Sequence, residues 1–331
     1  MIHKLVVIAY NHSHSIPNPA APMRFFHGLR PRLLVGLITL MFTGQEAVAS
    51  DAAELRALAE QKLHESLKAD SVYVRVHAAE ALISEGLVQR ARDSFLAEAL
   101  AAEMVPIRRV VTWRGLAQVA TDAQQRERWI NRLKAVALDP AAEDRTHAVE
   151  SLAKLSVLIP ANERAVYDDM ARQSKAGYSV FALWILYHSG ETDALDRIAG
   201  VLASNDPIMR LRAAYIIRRE KVSSAAVLSA LGRTLETEPL DSPAYPYLLS
   251  AATLLETNPD LRRELLAKLE HIAFNGPHGA RYEACQTLMN LWAPADAPRL
   301  AELLVMDQTD SLVAGAWAIL HLTSPLRNSQ L

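Results

Sequence analysis

RVHAAEAL at residues 75–82 and RTHAVESL at residues 145–152 carry Arg, His, Ala, Glu and Leu at the same offsets, 70 residues apart. The looser template R-x-x-A-x-x-x-L returns as RLRAAYII at 210–217 and RYEACQTL at 281–288. Degenerate copies stand at 109–116 (RVVTWRGL), 179–186 (SVFALWIL), 247–254 (YLLSAATL) and 313–320 (VAGAWAIL). Anchored on the last residue, the copies fall at Leu82, Leu116, Leu152, Leu186, Ile217, Leu254, Leu288 and Leu320. The gaps are 34, 36, 34, 31, 37, 34 and 32 residues. A period near 34 fits one helical hairpin per unit. Within the segments apolar residues recur at helical spacing, first as Val74, Ala78, Ala81 and Leu82, and the small Ala lets two helices approach closely.

A second helix fits between most anchors: Ala91–Ala101, Gln125–Ala137, Glu163–Arg172, Asp193–Ala203, Ser224–Leu235, Leu261–Ala273 and Pro298–Val305. Breakers separate the elements at Asp139-Pro140, Ile159-Pro160, Asn205-Asp206-Pro207, Glu238-Pro239, Asn258-Pro259, Gly276-Pro277 and Ala293-Pro294. Proline disfavours helix continuation, and Asp206 before Pro207 reads as an N-cap with proline at the first helical position.

Composition agrees with packed helices. Half of the 331 residues are apolar, only 6% are aromatic and 12 are glycine, whereas a sandwich or barrel would use more β-branched, aromatic and turn residues. The net charge of −2 lacks the basic excess of a nucleic-acid binder. One cysteine, Cys285, excludes an intrachain disulfide and a cysteine-rich zinc site. The expected class is all-α, an α-solenoid of about eight hairpins forming an armadillo-like superhelix.

The turn followed by [VI]-R-x-x-A-[AV]-x-x-[LI] resembles HEAT repeats, and more narrowly the short HEAT-like repeats of phycobilin-lyase-like proteins. The likeness spans about residues 55–325 and is best at Asp70–Leu82, Asp144–Leu152, Asp206–Ile217 and Gly279–Leu288. Ser179, Tyr247 and Val313 depart from it where the arginine belongs. Tetratricopeptide repeats share the period, but their Trp-Leu-Gly-Tyr pattern is missing. The resemblance implies an extended binding surface, and it raises cofactor lyase activity as an alternative.

The N-terminus reads as an export signal. Arg24, Arg30 and Arg32 precede an apolar run from Leu33 to Phe42, and Ala47-Val48-Ala49 supplies small residues for cleavage before Ser50. The run is too short to span a bilayer comfortably. Translation from Met23 would give a signal of ordinary proportions. The expected organisation is a leader at 1–49, the solenoid at 50–325 and a tail at 326–331. Removal of the leader takes away Lys4, Arg24, Arg30, Arg32 and Glu46, leaving a more acidic chain. The expected location is the periplasm, the cell surface or the medium, without stable membrane insertion.

In a solenoid the anchor helices line the concave face. Side chains at the positions equivalent to 77, 80 and 84 then project into a groove. The candidate partner-binding residues are His77, Glu80, Arg114, His147, Glu150, Phe181, Trp184, His188, Arg212, Tyr215 and Arg219. Trp, Tyr and Arg are enriched at binding hot spots. The plainer reading packs Trp184 and Tyr215 between helices, and ties Arg75, Arg145, Arg210 and Arg281 to helix carbonyls or the preceding turn. Cys285 falls on a core row, as do Trp113 and Trp317.

No catalytic, cofactor or metal residue is assigned. His77 with Glu80 and His147 with Glu150 each stand at i, i+3, but two units separate the pairs, roughly 20 Å at about 10 Å per helix layer. They do not share an ion. H-E-x-x-H, G-x-S-x-G, G-x-x-x-x-G-K and G-x-G-x-x-G are absent from the sequence. The expected role is an exported, non-catalytic scaffold for a protein partner in the cell envelope. The alternative is a glycan or small-molecule binder that stacks a ring on Trp184 and Tyr215.

Overall fold

The computed structural model describes residues 44–103, 105–306 and 309–324. Every regular element among them is helical. The leader expectation falls mainly on residues 1–43 and the tail on 326–331, outside the described residues; the expected cleavage position lies within the first helix, α1 (Gly44–Ser66). Contacts divide the chain into two compact units, Met1–Glu54 and Leu55–Leu331. None of the described helices is long and apolar enough to cross a membrane.

After α1 the elements are α2 (Val72–Ser84), α3 (Val88–Ala102), α4 (Arg108–Gln118), α5 (Ala123–Leu138), α6 (Arg145–Lys154), α7 (Arg164–Arg172) and α8 (Ser179–His188). Then come α9 (Ala194–Val201), α10 (Pro207–Glu220), α11 (Ala225–Thr237), α12 (Tyr245–Leu255), α13 (Pro259–Asn275) and α14 (His278–Leu291). A 3₁₀ segment (Pro294–Val305) and α15 (Asp310–Leu322) complete the series. The second helices lie where the proline and glycine breakers place them, within a few residues of the expected ends. The last of them is corrected: the segment ending at Val305 is 3₁₀, with Pro294 at its start and Pro298 inside it. Proline withholds the amide that an α-helix would use there.

Local chemistry sets the helix ends. Asp206 Oδ1 accepts from Ile208 N at 2.8 Å ahead of Pro207, as the sequence predicts. Asn258 caps α13 in the same way, accepting from Asp260 N and Leu261 N. The other end has a repeated stop. Gly86, Ser156, Gly190 and Lys221 have positive φ and each stands four residues after an anchor. One residue further on, Leu87, Val157, Glu191 and Val222 donate their N–H to the carbonyls of Leu82, Leu152, Leu186 and Ile217. This is the left-handed helix termination that glycine favours. The anchor residue therefore fills the core with its side chain and ends its helix with its carbonyl.

The repeat arginines take the carbonyl reading. Arg75 donates to Ala69 O and Asp70 O, Arg145 to Ala137 O, Arg210 to Ser204 O and Arg281 to Gly276 O. Several also reach the next hairpin: Arg75 meets Glu98, Arg210 meets Glu238, and Arg109 forks onto Asp144. Arg75 and Arg210 thus staple their own turns to the following unit.

Within Leu55–Leu331 the anchor helices pack in sequence: α2 on α4, then α6, α8, α10, α12, α14 and α15. The series does not end there, because α15 also packs on α2. The first and last hairpins share one apolar core, in which Leu63, Val74, Ala78 and Leu82 join Leu303, Val313, Ala316 and Leu320. Arg56 Nη1 donates to Leu320 O across the same junction. Small residues (Ala78, Ala148, Ala182, Ala213, Ala251, Ala284, Ala314) recur along the inner helices and are fully buried. They let these helices approach more closely than the outer ones, so the row bends until its ends meet. Seven of the eight anchors are buried, and truncating any of these to Ala costs about 2–5 kcal/mol.

Candidate functional site

The inner helices carry polar side chains toward one another on the inside of this cycle. In most of these helices exposure rises from the 77 row to the 84 row; α6 and α15 are the exceptions, with Lys154 less exposed than His147 and Leu322 buried. His77, Val111, Phe181, Leu249 and Glu283 are buried, and only His147 and Arg212 of that row are partly open. In the 84 row, Ser84, Gln118, Arg219 and Asn290 are exposed and Lys154, His188 and Glu256 half-buried. The C-terminal ends of the inner helices thus form the open side of the face.

The expected projection of the 77 row is therefore corrected for most units. Neighbouring inner helices converge so closely that side chains from next-but-one helices meet. His77 of α2 stacks on Tyr282 of α14 at 4.4 Å between ring centroids. Arg218 of α10 reaches Glu283 of α14, with Nε 2.6 Å from Oε1 and Nη2 3.2 Å from Oε2. Phe181 is covered by the guanidinium of Arg212 at 5.4 Å.

Ion pairs fill the middle of the face. Arg114 donates from Nε to Glu80 Oε1 at 2.9 Å and from Nη1 to Ser151 Oγ at 3.3 Å. Lys154 Nζ lies 2.7 Å from Glu150 Oε1, and His147 Nδ1 is 3.5 Å from Glu150 Oε2. Burial works to raise the Glu150 carboxyl, but Lys154, His147 and Arg114 together hold it well below the usual carboxylate range. Burial likewise opposes ionisation of Glu80, and Arg114, Lys154 and His77 overcome it. Glu283 shows the other outcome: burial lifts its carboxyl despite Arg218.

On α8 and α10 the aromatic candidates separate in role. Trp184 is 0% exposed, and its indole Nε1 donates to Glu220 Oε1 at 2.8 Å. His188 Nε2 lies 3.2 Å from the same oxygen. Trp184 meets Tyr215 edge-on at 5.9 Å. It offers no face to a sugar, so the paired-platform geometry for glycan stacking is not formed. Tyr215 is half-buried, with Lys154 Nζ 5.3 Å above its ring and Arg219 Nη1 donating to its hydroxyl at 3.2 Å. Burial opposes phenolate formation at Tyr215, yet Lys154, Arg219 and Arg218 bring its pKa below the usual phenol value.

The structure thus gathers Glu80, Arg114, His147, Glu150, Tyr215 and Arg219 around one polar centre, places Arg212 beside Phe181, and buries Trp184. Sequence rows missed Arg218, Tyr282 and Asp310. Arg218 and Tyr282 stand one place from a scored row and Asp310 opens α15, and helices that converge on a closed interior present a wider stripe than helices along an open groove. Among the described residues no group of three or more His, Cys, Asp or Glu side chains is arranged to hold a metal. Cys285 is fully buried, which pushes its thiol up to about 12.

No family model matches the chain, and no characterised protein matches it in sequence.

Proposed function

We propose that this chain is an exported, non-catalytic scaffold with HEAT-like repeats that binds a protein partner at the open side of its inner face. The observation that carries the reading is the exposure gradient. The deep rows are occupied by the chain's own ion pairs, Lys154 with Glu150 among them, whereas Arg219, Gln118 and Asn290 stand exposed at the helix ends. An interior already filled by side chains suits a projecting segment of a partner better than a folded globule. The HEAT-like reading is supported by the eight-fold anchor spacing and by arginines that recurrently cap the preceding turn. Export, and residence in the periplasm or at the surface, rest on the basic, apolar and small-residue pattern at residues 24–49.

Photo-crosslinking tests the binding face. A photoreactive residue replaces Gln118 or Asn290 on the open side, or Arg263 on the outer helix α13, in protein exposed to envelope extract. A discrete adduct is expected from the first two positions and not from the third. Equal labelling from all three, or none from the open side, sinks the reading.

A further inference from the structure

Arg212, Tyr215 and Arg219 follow one another on α10 at intervals of three and four residues. They share one helix face, and the two arginines stand two turns apart, about 10 Å of rise. Elsewhere on the inner face cations hold carboxylates: Arg114 holds Glu80, Lys154 holds Glu150, Arg218 holds Glu283, His188 meets Glu220 and His77 meets Asp310. Among the described residues no carboxylate comes within ion-pair distance of Arg212 or Arg219.

Both guanidinium groups are nonetheless positioned. Arg212 Nη1 donates to Gly177 O at 2.8 Å, and a Cβ on residue 177 would sit 2.6 Å from that nitrogen, so glycine makes room for it. Its plane lies over Phe181. Arg219 is exposed, bonded to the Tyr215 hydroxyl, with its guanidinium 5.6 Å over Trp184. Lys154 also lies over the Tyr215 ring, but its charge is matched by Glu150, so the stripe's own cations are Arg212 and Arg219. The lowered pKa of the Tyr215 phenol reports the same positive field.

We infer that the Arg212–Tyr215–Arg219 stripe binds carboxylates of an acidic, extended segment of the partner, an inference that rests on the partner-binding reading above. Guanidinium groups bind carboxylates through paired N–H donors. The two cations do not converge on one point, as a single phosphate would require. They are spread along a line with a phenol between them. An extended peptide advances about 3.3 Å per residue and puts alternate side chains on one face, so acidic side chains two or four residues apart, about 7 or 13 Å, bracket the spacing and reach both flexible arginines.

The test is fluorescence anisotropy with the full chain and fluorescein-labelled octaglutamate, with octalysine as the reversed-charge control. Saturable, salt-sensitive binding of octaglutamate alone is expected. Arg219→Gln should weaken it several-fold and Arg212→Gln with Arg219→Gln about tenfold or more, with Arg263→Gln unchanged. Arg219 is exposed, so the single variant keeps the test valid if the double variant unfolds. No octaglutamate binding, or binding indifferent to these substitutions, overturns the inference. Displacement by equimolar inorganic phosphate, or tighter binding of a labelled oligogalacturonate, overturns the peptide class. A crosslinked partner on the open side together with any of these results fails this inference alone and leaves the binding face standing.

Discussion

His77 of the first hairpin and Asp310 of the last lie 2.9 Å apart, Nδ1 to Oδ1, although 233 residues of chain separate them. Both are buried, and His321 meets Glu85 at 3.2 Å across the same junction. This seam is where the row of inner helices closes.

Asp310→Ala removes the carboxylate and leaves a buried imidazole facing an apolar side chain. The expected loss of stability is about 2–4 kcal/mol. Hydrogen exchange should quicken first in Val72–Ser84 and Asp310–Leu322, the two helices of the seam. Uniform acceleration over the whole chain would show that the seam is not a separately opening element.

Acid should destabilise the fold through Glu80 and Glu150. Their folded pKa values lie below the ordinary 4.5 because Arg114 and Lys154 outweigh burial. A depressed carboxyl stabilises the fold fully above its unfolded pKa, and that contribution is lost as pH falls through the folded value. Glu283, with a raised pKa, acts in the opposite sense and offsets part of the loss. Urea midpoints should drop between about pH 7 and about pH 3.5. Glu150→Gln should be less stable at neutral pH and show a smaller drop. A drop as large as that of the unaltered chain would remove Glu150 from the explanation.

The left-handed helix stops give a paired prediction. Lys221 holds φ 52° and Gly190 φ 92° at equivalent positions. Lys221→Gly should stabilise the protein by about 0.5–1 kcal/mol, because a side chain is strained in that region. Gly190→Ala should destabilise it by about 1 kcal/mol. A Cβ at 190 meets nothing within 4 Å, so the effect is conformational and not steric. Thermal unfolding that moves both variants in the same direction contradicts this account.

Arg210 bonds to Ser204 O at 2.7 Å and forks onto Glu238 at 2.7 Å through each of Nε and Nη2. Arg210→Ala strands a buried carboxylate and should cost about 3 kcal/mol. The double variant with Glu238→Gln should recover part of it. A double-mutant cycle with no coupling would make the pair incidental.

The local features of the fold were legible because they have local causes. Proline breakers, the Asp206 cap and the anchor row each act within one or two helical turns. The 3₁₀ segment ending at Val305 reads as an ordinary second helix in the sequence because an apolar period says little about which amide is missing. Closure was not legible: nothing near His77 in the sequence points to Asp310, and a period of about 34 is equally compatible with an open row. The burial of Trp184 was legible, since packing between neighbouring helices is the plainer reading of its row, and α8 and α10 enclose it so. Arg212, Tyr215 and Arg219 were legible as a row, but that no described carboxylate lies within ion-pair distance of either arginine is visible only once the neighbours are placed.

A row whose last member rests on its first has no terminal unit. Open helical arrays need polar end pieces and can lengthen or shorten by whole units with modest consequence. Here the number of hairpins is fixed by the angle each contributes. Duplication or excision of a single unit would leave a gap or a collision at the α2–α15 junction. Such a protein can diversify by changing side chains within its units, but not by changing how many it has.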